Sequence, residues 1–330
     1  MIPRVSVALC TRNGAAYIAA QLQSIFDQEP PPFEVVISDD ASTDATLDIV
    51  DELIARAAGA TIFRVIRNPT ALGITRNFEQ AMLACSGDLI ALSDQDDVWL
   101  PGRMEGLSAP FTDESILLVS SDAWLVSADG APFGYSLFKA LGISAREVEG
   151  LNSTRALDEL LRRNLITGAT SVVRRSLVAT AAPFPDPWVH DEWLAIVAAI
   201  TGRIHVVPRQ LTDYRQHGAN QIGARRLTFR QKLGRLTEPR DDRYSYLLER
   251  ASVLSDQLDR LDAPAQVRAT ISSKVEHQSI RAALPASRFR RLAPVLAEAR
   301  TGRYGQFGRG VADILRDLIQ PNTTSRTASK

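Results

Sequence analysis

The feature that most constrains this chain is a repeated unit in its first two-thirds: a short apolar run, a polar cluster, then a helical pattern. Val5-Ser6-Val7-Ala8-Leu9 ends in Thr11-Arg12-Asn13-Gly14, after which Ile18, Leu22, Ile25 and Phe26 recur at helical spacing. Glu34-Val35-Val36-Ile37 runs into Asp39-Asp40-Ala41-Ser42, with Ser42 or Thr43 the expected cap of a helix through Leu47, Ile49 and Val50. Ile62–Ile66 forms a third strand, and Leu89-Ile90-Ala91-Leu92 leads at once into an acidic run. Ile116–Ser120, Thr170–Val173 and Ile204–Val207 are further strand candidates. Strands separated by helices predict an α/β fold with a mainly parallel sheet, whose ligands lie beyond the strands' carboxyl ends. The polar clusters after Leu9, Ile37 and Leu92 should meet there.

Charge divides the chain near Arg225. Residues 1–224 carry 27 acidic and 17 basic side chains, and residues 225–330 carry 11 and 21, although the whole is neutral. The expected organisation is therefore an α/β domain over 1–224, which the resemblance given below makes the catalytic one, and a basic, mainly helical region over 225–330. In the second part strand signals fade. Leu247, Leu248, Ala251, Leu254, Leu258 and Leu261 form a helical stripe, and Arg288–Ile319 reads as amphipathic helix broken near Gly302 and Gly305. Basic clusters such as Arg225-Arg226 and Arg288-Phe289-Arg290-Arg291 suit an anionic membrane surface; a solvated helical face or an oligomer contact suits them as well. No nucleic-acid-reading motif accompanies the charge. The two cysteines, Cys10 and Cys85, lie in apolar context, so a reducing compartment is expected. No apolar run approaches the ~18–20 residues that span a bilayer, and no secretory pattern opens the chain. The expected location is the cytoplasm, with peripheral contact on the inner face of the membrane as a further expectation.

The strongest chemical signal is Ser93-Asp94-Gln95-Asp96-Asp97-Val98-Trp99. Three carboxylates just past a buried strand repel one another unless a counter-ion joins them, and Mg²⁺ or Mn²⁺ with substrate phosphates is a common solution. Asp39-Asp40 closes another strand in the same way. His190-Asp191-Glu192-Trp193 follows a stiff proline-rich approach and opens a helix, where an acid is either a cap or a carboxylate presented to a cleft. His217, in Tyr214-Arg215-Gln216-His217, is a ligand candidate on weaker grounds.

Taken in order, VSVALCTRNGAAYI, EVVISDDASTD, NPTALGITRNFEQAM, GDLIALSDQDDVW, LITGATSVV, HDEW and YRQHGAN resemble the family 2 glycosyltransferases of the GT-A fold, especially their bacterial rhamnosyltransferase-like branch. The resemblance covers roughly residues 4–224. It implies a GT-A type nucleotide-binding mixed sheet flanked by helices, and inverting, metal-dependent transfer from a nucleoside-diphosphate sugar. The implied acceptor is a saccharide or lipid-linked saccharide, as in cell-surface polysaccharide or glycolipid assembly, with rhamnosyl transfer one of the implied activities.

It also implies residue roles. Thr11, Arg12, Asn13 and Asp40 resemble the nucleobase site, and Gly73, Arg76 and Asn77 the segment that closes over ribose and diphosphate. Asp94 and Asp96 match the D-x-D motif, with Asp96 as direct metal ligand and Asp94 toward metal or ribose. Asp97 matches the following acid, and His217 the histidine that completes the metal site, occupied by Mn²⁺ or Mg²⁺. Asp191 matches the catalytic base, with Glu192, Trp193 and the Gly168 loop beside it. Arg12 departs from the aromatic residue often found at that point, which leaves base identity open.

Other readings compete. A sugar nucleotidyltransferase would carry a longer Gly-rich basic loop after the first strand than Thr11-Arg12-Asn13-Gly14 provides. A nucleotide-sugar-binding scaffold without turnover would not need Asp191 and His217, and a phospho-receiver would carry its acidic pair on the first strand.

Overall fold

The computed structural model describes residues 3–57, 59–217 and 243–321. The Arg225-Arg226 cluster, the expected boundary beside it, Gly218–Asn220 of the last motif and the tail from residue 322 lie outside the described residues. The chain forms two compact units, one drawn from Met1–Leu157 and Leu165–Arg225, the other from Asp158–Asn164 and Arg226–Lys330.

Nine strands build the sheet of the first unit: β1 Val5–Thr11, β2 Glu34–Asp39, β3 Ile62–Arg67, β4 Leu89–Ser93, β5 Val98–Trp99, β6 Ile116–Ser127, β7 Pro132–Ser136, β8 Ser171–Arg174 and β9 Arg203–Gln216. Their order is β3-β2-β1-β4-β8-β6-β9-β5, with β7 paired on β6. Pairing is parallel through β3-β2-β1-β4 and between β6 and β9, and antiparallel where β8 meets β4 and β6. The sheet is thus mixed and flanked by helices, with a helical C-terminal region, as the GT-A expectation required.

Every residue of β1, β2 and β4 is buried, as strands covered on both faces should be. Edge strand β3 exposes Ile62, Arg64 and Arg67, and its two arginines discourage pairing with another chain. Helices α1 Ile18–Phe26, α2 Thr46–Arg56 and α3 Ile74–Ala84 fill the first crossovers. Val7, Leu9, Ile18, Leu22, Ile25, Val35, Ile37 and Leu89 share one core cluster, each side chain contributing about 1.5–3 kcal/mol by leaving water. The register pairs Thr11 with Asp39 and Leu9 with Ser93, so the polar ends of β1, β2 and β4 arrive side by side.

Local details differ from the sequence expectation. Helix α2 begins at Thr46, and Asp44, rather than Ser42 or Thr43, accepts the Thr46 N–H at 3.1 Å. Ser42 instead donates from both its N–H and its hydroxyl to Asp39, which holds it in the turn. The short strand at Ile204–Val207 is part of the 14-residue β9. Between β4 and β9 lie α4 Arg103–Ser108, α5 Leu137–Leu141, α6 Ala145–Leu151, α7 Ala156–Arg162, α8 Arg175–Ala181 and α9 His190–Thr201.

The second unit is helical among its described residues: α10 Arg243–Asp256, α11 Ala265–Ala282, α12 Arg288–Arg300, α13 Arg303–Phe307 and α14 Val311–Ile319. Ala251, Leu254, Leu258 and Leu261 of the leucine stripe are buried. Asp317 anchors this unit, accepting from Tyr244 Oη at 2.6 Å, Tyr304 Oη at 2.8 Å and Arg281 Nε at 2.7 Å. A buried carboxylate with this many donors stays ionised, and its pKa is held below the usual range despite its burial.

Candidate active site

Four loops at the carboxyl ends of the strands are stitched into one floor. Thr11 Oγ1 donates to Asp39 Oδ2 at 2.7 Å, Asn13 N to Ser42 Oγ at 2.8 Å, and Thr43 N to Asn13 Oδ1 at 2.8 Å. Asn13 takes φ 49°, a left-handed geometry that asparagine tolerates better than most residues. Arg12 exchanges two bonds with Gln95, its N–H reaching Oε1 at 2.8 Å and its carbonyl accepting from Nε2 at 3.0 Å. Asp40 accepts from the backbone of Leu72 at 2.5 Å and Gly73 at 3.1 Å, and Arg12 Nη1 lies 3.6 Å from Asp40 Oδ2. Gly73 sits at φ 83°, where a side chain would be strained.

The acidic run occupies the middle of this floor. Asp94 is half-buried, and its pKa is pushed up to about 8, first by burial and then by the charges of Asp96 and Asp191. Asp96 Oδ2 lies 2.7 Å from His217 Nε2, and the His217 ring stacks on Tyr17 at 4.8 Å. Asp97 faces inward: Oδ1 accepts from Arg215 N at 3.0 Å, and burial raises its pKa well above the carboxylate range. Among the described residues no group of three or more His, Cys, Asp and Glu side chains is arranged to hold a metal alone. The donor set instead suits a cation that brings anionic oxygens of its own: Asp94 and Asp96 repel each other, and His217 is beside Asp96.

Asp191 stands in the first turn of α9. Its Oδ2 accepts from Gly168 N at 3.0 Å and its Oδ1 from Glu192 N at 2.7 Å, so two backbone groups fix the plane of the carboxylate. A Cβ on Gly168 would lie 2.8 Å from His190 Nε2 and 3.4 Å from Asp191 Cβ, so glycine lets the two segments meet. His190 is buried and stacks on Phe78 with ring centroids 3.9 Å apart. Trp193 is fully buried and donates from Nε1 to Ala181 O at 2.9 Å, which anchors the helix in the core.

The structure therefore brings Thr11, Arg12, Asn13, Asp40 and Gly73 to one floor, and sets Asp94 and Asp191 close enough for the charge of one to act on the other. Asn77 and Trp193 point elsewhere. Asn77 is buried and bridges to β2, donating to Ser38 O at 2.9 Å while accepting from Ser38 Oγ at 2.7 Å. Arg76 is held by two carboxylates, Glu79 and Asp186, each at 2.8 Å.

Two arginines given no role by the sequence reading hold the site together. Arg215 donates from Nε to Asp96 O at 2.7 Å and from Nη1 to Ala128 O at 2.9 Å, joining β9, the acidic run and the β6–β7 turn. Arg103 is fully buried under the run, donating to Thr212 Oγ1 at 3.1 Å and Ala169 O at 2.8 Å, with its guanidinium 3.8 Å over the Trp99 ring. Burial lowers its pKa to about 9, opposed by the Asp97 charge. Arg215 lies inside a quoted motif, whereas Arg103 carries no local signal.

The chain has known relatives in sequence and in fold. The dTDP-rhamnosyl transferase RfbG of Shigella flexneri is 27% identical over 241 residues, 69% of this chain and 78% of RfbG. An uncharacterized protein of Mycobacterium tuberculosis is 29% identical over 221 residues, 64% of this chain but only 59% of that relative's length. Among solved structures, Staphylococcus aureus TarS 1–349 in complex with UDP-GlcNAc superposes with a TM-score of 0.54 at 16% identity, covering 90% of this chain and 81% of that one. The Pyrobaculum calidifontis mannosyltransferase PcManGT with GDP-Man and Mn²⁺ gives 0.52 at 18% identity, covering 97% and 86%. At these identities the structural likeness is one of fold. The description Glycosyl transferase family 2 matches residues 6–178, just over half of the sequence, and the chain belongs to that family.

Proposed function

We propose that this chain transfers a sugar from a nucleoside-diphosphate sugar to an acceptor hydroxyl, with inversion at the anomeric carbon and with Mn²⁺ or Mg²⁺ as cofactor. The observation that carries this reading is the pairing of Asp96 with His217 at 2.7 Å in the acidic run, together with Asp191 fixed at the start of α9 by two backbone N–H groups. One carboxylate belongs to a half-buried acidic pair, and the other is rigidly oriented at a helix start.

Asp94, Asp96 and His217 are the residues that would hold the cation. A bound divalent ion supplies Lewis-acid stabilisation of the charge on the departing diphosphate. Asp191, held by the Gly168 and Glu192 N–H groups, takes the proton from the acceptor hydroxyl as it attacks. Inversion follows from a single displacement, which needs a base but no enzyme nucleophile. Arg12, Asn13 and Asp40 line the nucleobase end, and the Gly73 backbone lies beside the diphosphate path. Asp97 and Arg103 position the acidic run without touching substrate. Arg76 would reach a phosphate only by leaving Glu79 and Asp186.

The catalytic part is assigned to residues 1–224 and the helical part to 225–330. RfbG makes a dTDP-linked rhamnose the first donor to test, with a saccharide or lipid-linked saccharide acceptor on the cytoplasmic side.

Thermal unfolding measured across nucleoside diphosphates and their sugars, with and without Mn²⁺, tests the assignment. One nucleotide should raise the melting temperature in a metal-dependent way, by about 2.7 kcal/mol of stability at a hundredfold excess over Kd. Asp96→Asn should remove the metal-dependent part. Absence of stabilisation by every nucleotide with either metal would refute the reading.

A further inference from the structure

Helix α14 in the second unit carries an apolar stripe on its outer side. Its buried side chains are Asp313, Arg316 and Asp317, with Ile314 and Leu318 half-buried against the core, while Val311, Leu315 and Ile319 are exposed, Val311 by 69%. A surface helix of a water-soluble unit ordinarily turns polar side chains outward. The polar positions held inside have a structural cause. Asp317 is the acceptor for Tyr244, Tyr304 and Arg281, and Asp313 accepts from Arg309 N at 2.7 Å, so the polar face is needed inside. The apolar positions at i, i+4 and i+8 are then left facing outward.

The neighbouring helix α12, which packs on α14, adds a second exposed apolar stripe. Phe289 is 95% exposed, and Leu292 and Leu296 are exposed one and two turns on. Arg291 ties the two helices, donating from Nη1 to Gln320 O at 2.6 Å.

Charge in this region is segregated by depth. Among the described residues from Pro285 onward, the exposed charged side chains are Arg288, Arg290, Arg300 and Arg309. The three acids, Glu298, Asp313 and Asp317, are all buried. The outer surface formed by these residues is therefore apolar and cationic, and none of their carboxylates is exposed; the exposed Glu276 of α11 is paired with Arg303.

We propose that the exposed faces of α12 and α14 dock on the surface of a bilayer containing anionic lipid, with the apolar stripes entering the headgroup boundary and the four arginines meeting lipid phosphate. An in-plane amphipathic helix binds in this way, through buried apolar area and electrostatic attraction together. Charge decides against a second copy of this chain as the occupant. Two such faces would bring eight arginines together (four from each copy), and no described acid from Pro285 onward is exposed to offset them. No helix among the described residues is long and apolar enough to cross a membrane, so the contact is one of surface.

The test is co-sedimentation of the full chain with vesicles of phosphatidylcholine alone and of phosphatidylcholine mixed with phosphatidylglycerol, at low and high salt. The chain should bind the anionic vesicles at low salt, weakly the neutral ones, and less as salt rises. Arg288→Gln with Arg290→Gln should weaken binding by about 25-fold, at roughly fivefold per arginine. Phe289→Asp with Leu315→Asp should abolish it, and because both positions are exposed the circular dichroism spectrum should be unchanged. Failure to bind anionic vesicles at low salt, or equal binding by the wild type and the Asp variant, would overturn the proposal. So would a dimer in sedimentation that the Asp variant dissociates while vesicles are ignored. The readout involves no sugar transfer, so it stands or falls apart from the catalytic assignment.

Discussion

His190 precedes the proposed base, and neither of its ring nitrogens has a hydrogen-bond partner among the described residues. Burial alone lowers its pKa to about 3. In the unfolded chain the same imidazole takes up a proton near pH 6.5. Between those values the folded state binds fewer protons than the unfolded one. The stabilisation from a neutral His190 is complete above pH 6.5 and is lost as the pH falls toward 3, an effect on the order of 5 kcal/mol. Asp94 acts in the opposite sense: its raised pKa makes the folded state bind more protons between the ordinary carboxylate range and about 8. Wild-type stability alone would therefore mix the two. The comparison with His190→Phe, which keeps the stacking position on Phe78, separates them. In urea unfolding, the variant should gain stability relative to wild type as pH is lowered from 7 to 4. A pH-independent difference would mean that His190 takes up its proton in the fold as readily as in the unfolded chain.

At the scale of elements, the site depends on how closely the Gly168 turn approaches the start of α9. The Gly168→Ala Cβ would lie 2.8 Å from His190 Nε2, and the stacking on Phe78 leaves that ring little room to move. The first turn of α9 should shift instead, and Asp191 with it. Displacing a catalytic group by about 1 Å costs on the order of 10²-fold in rate. Gly168→Ala should therefore lose transfer by about that factor while the melting temperature falls only slightly; unchanged transfer would separate this contact from catalysis. The elements that are legible in the sequence are those with a local signature. β1, β2 and β4 are continuous apolar runs ending in polar clusters, and Asp94, Asp96 and Asp191 follow a strand or open a helix. Arg103 is not legible, because its burial is made by Leu92, Ala169 and Thr212, which come together only in the folded chain. Asn77 misleads for the converse reason: its place in the motif suggests a ligand contact, but its amide completes hydrogen bonds to Ser38. Nor does periodicity distinguish the strands that pair antiparallel: the four-residue β8 reads like any other apolar run.

At the scale of the whole molecule, an acidic α/β unit is joined to a basic helical one, and each keeps its own polar core. In the first unit buried Arg103 lies beneath the acidic run, and in the second Asp317 gathers two tyrosines and an arginine. The charge shift near Arg225 is visible in the sequence. The burial of all three acids while four arginines stay outside is not, because it depends on which face of α12 and α14 packs inside. In the first unit, Asp191 is the proposed base of a metal-dependent sugar transfer. The most direct test of this role is transfer by Asp191→Asn with the sugar nucleotide that stabilises the chain, measured beside nucleotide affinity. Transfer should fall by ~10²- to 10⁴-fold with affinity nearly unchanged. Full transfer by Asp191→Asn would remove Asp191 from the role of base.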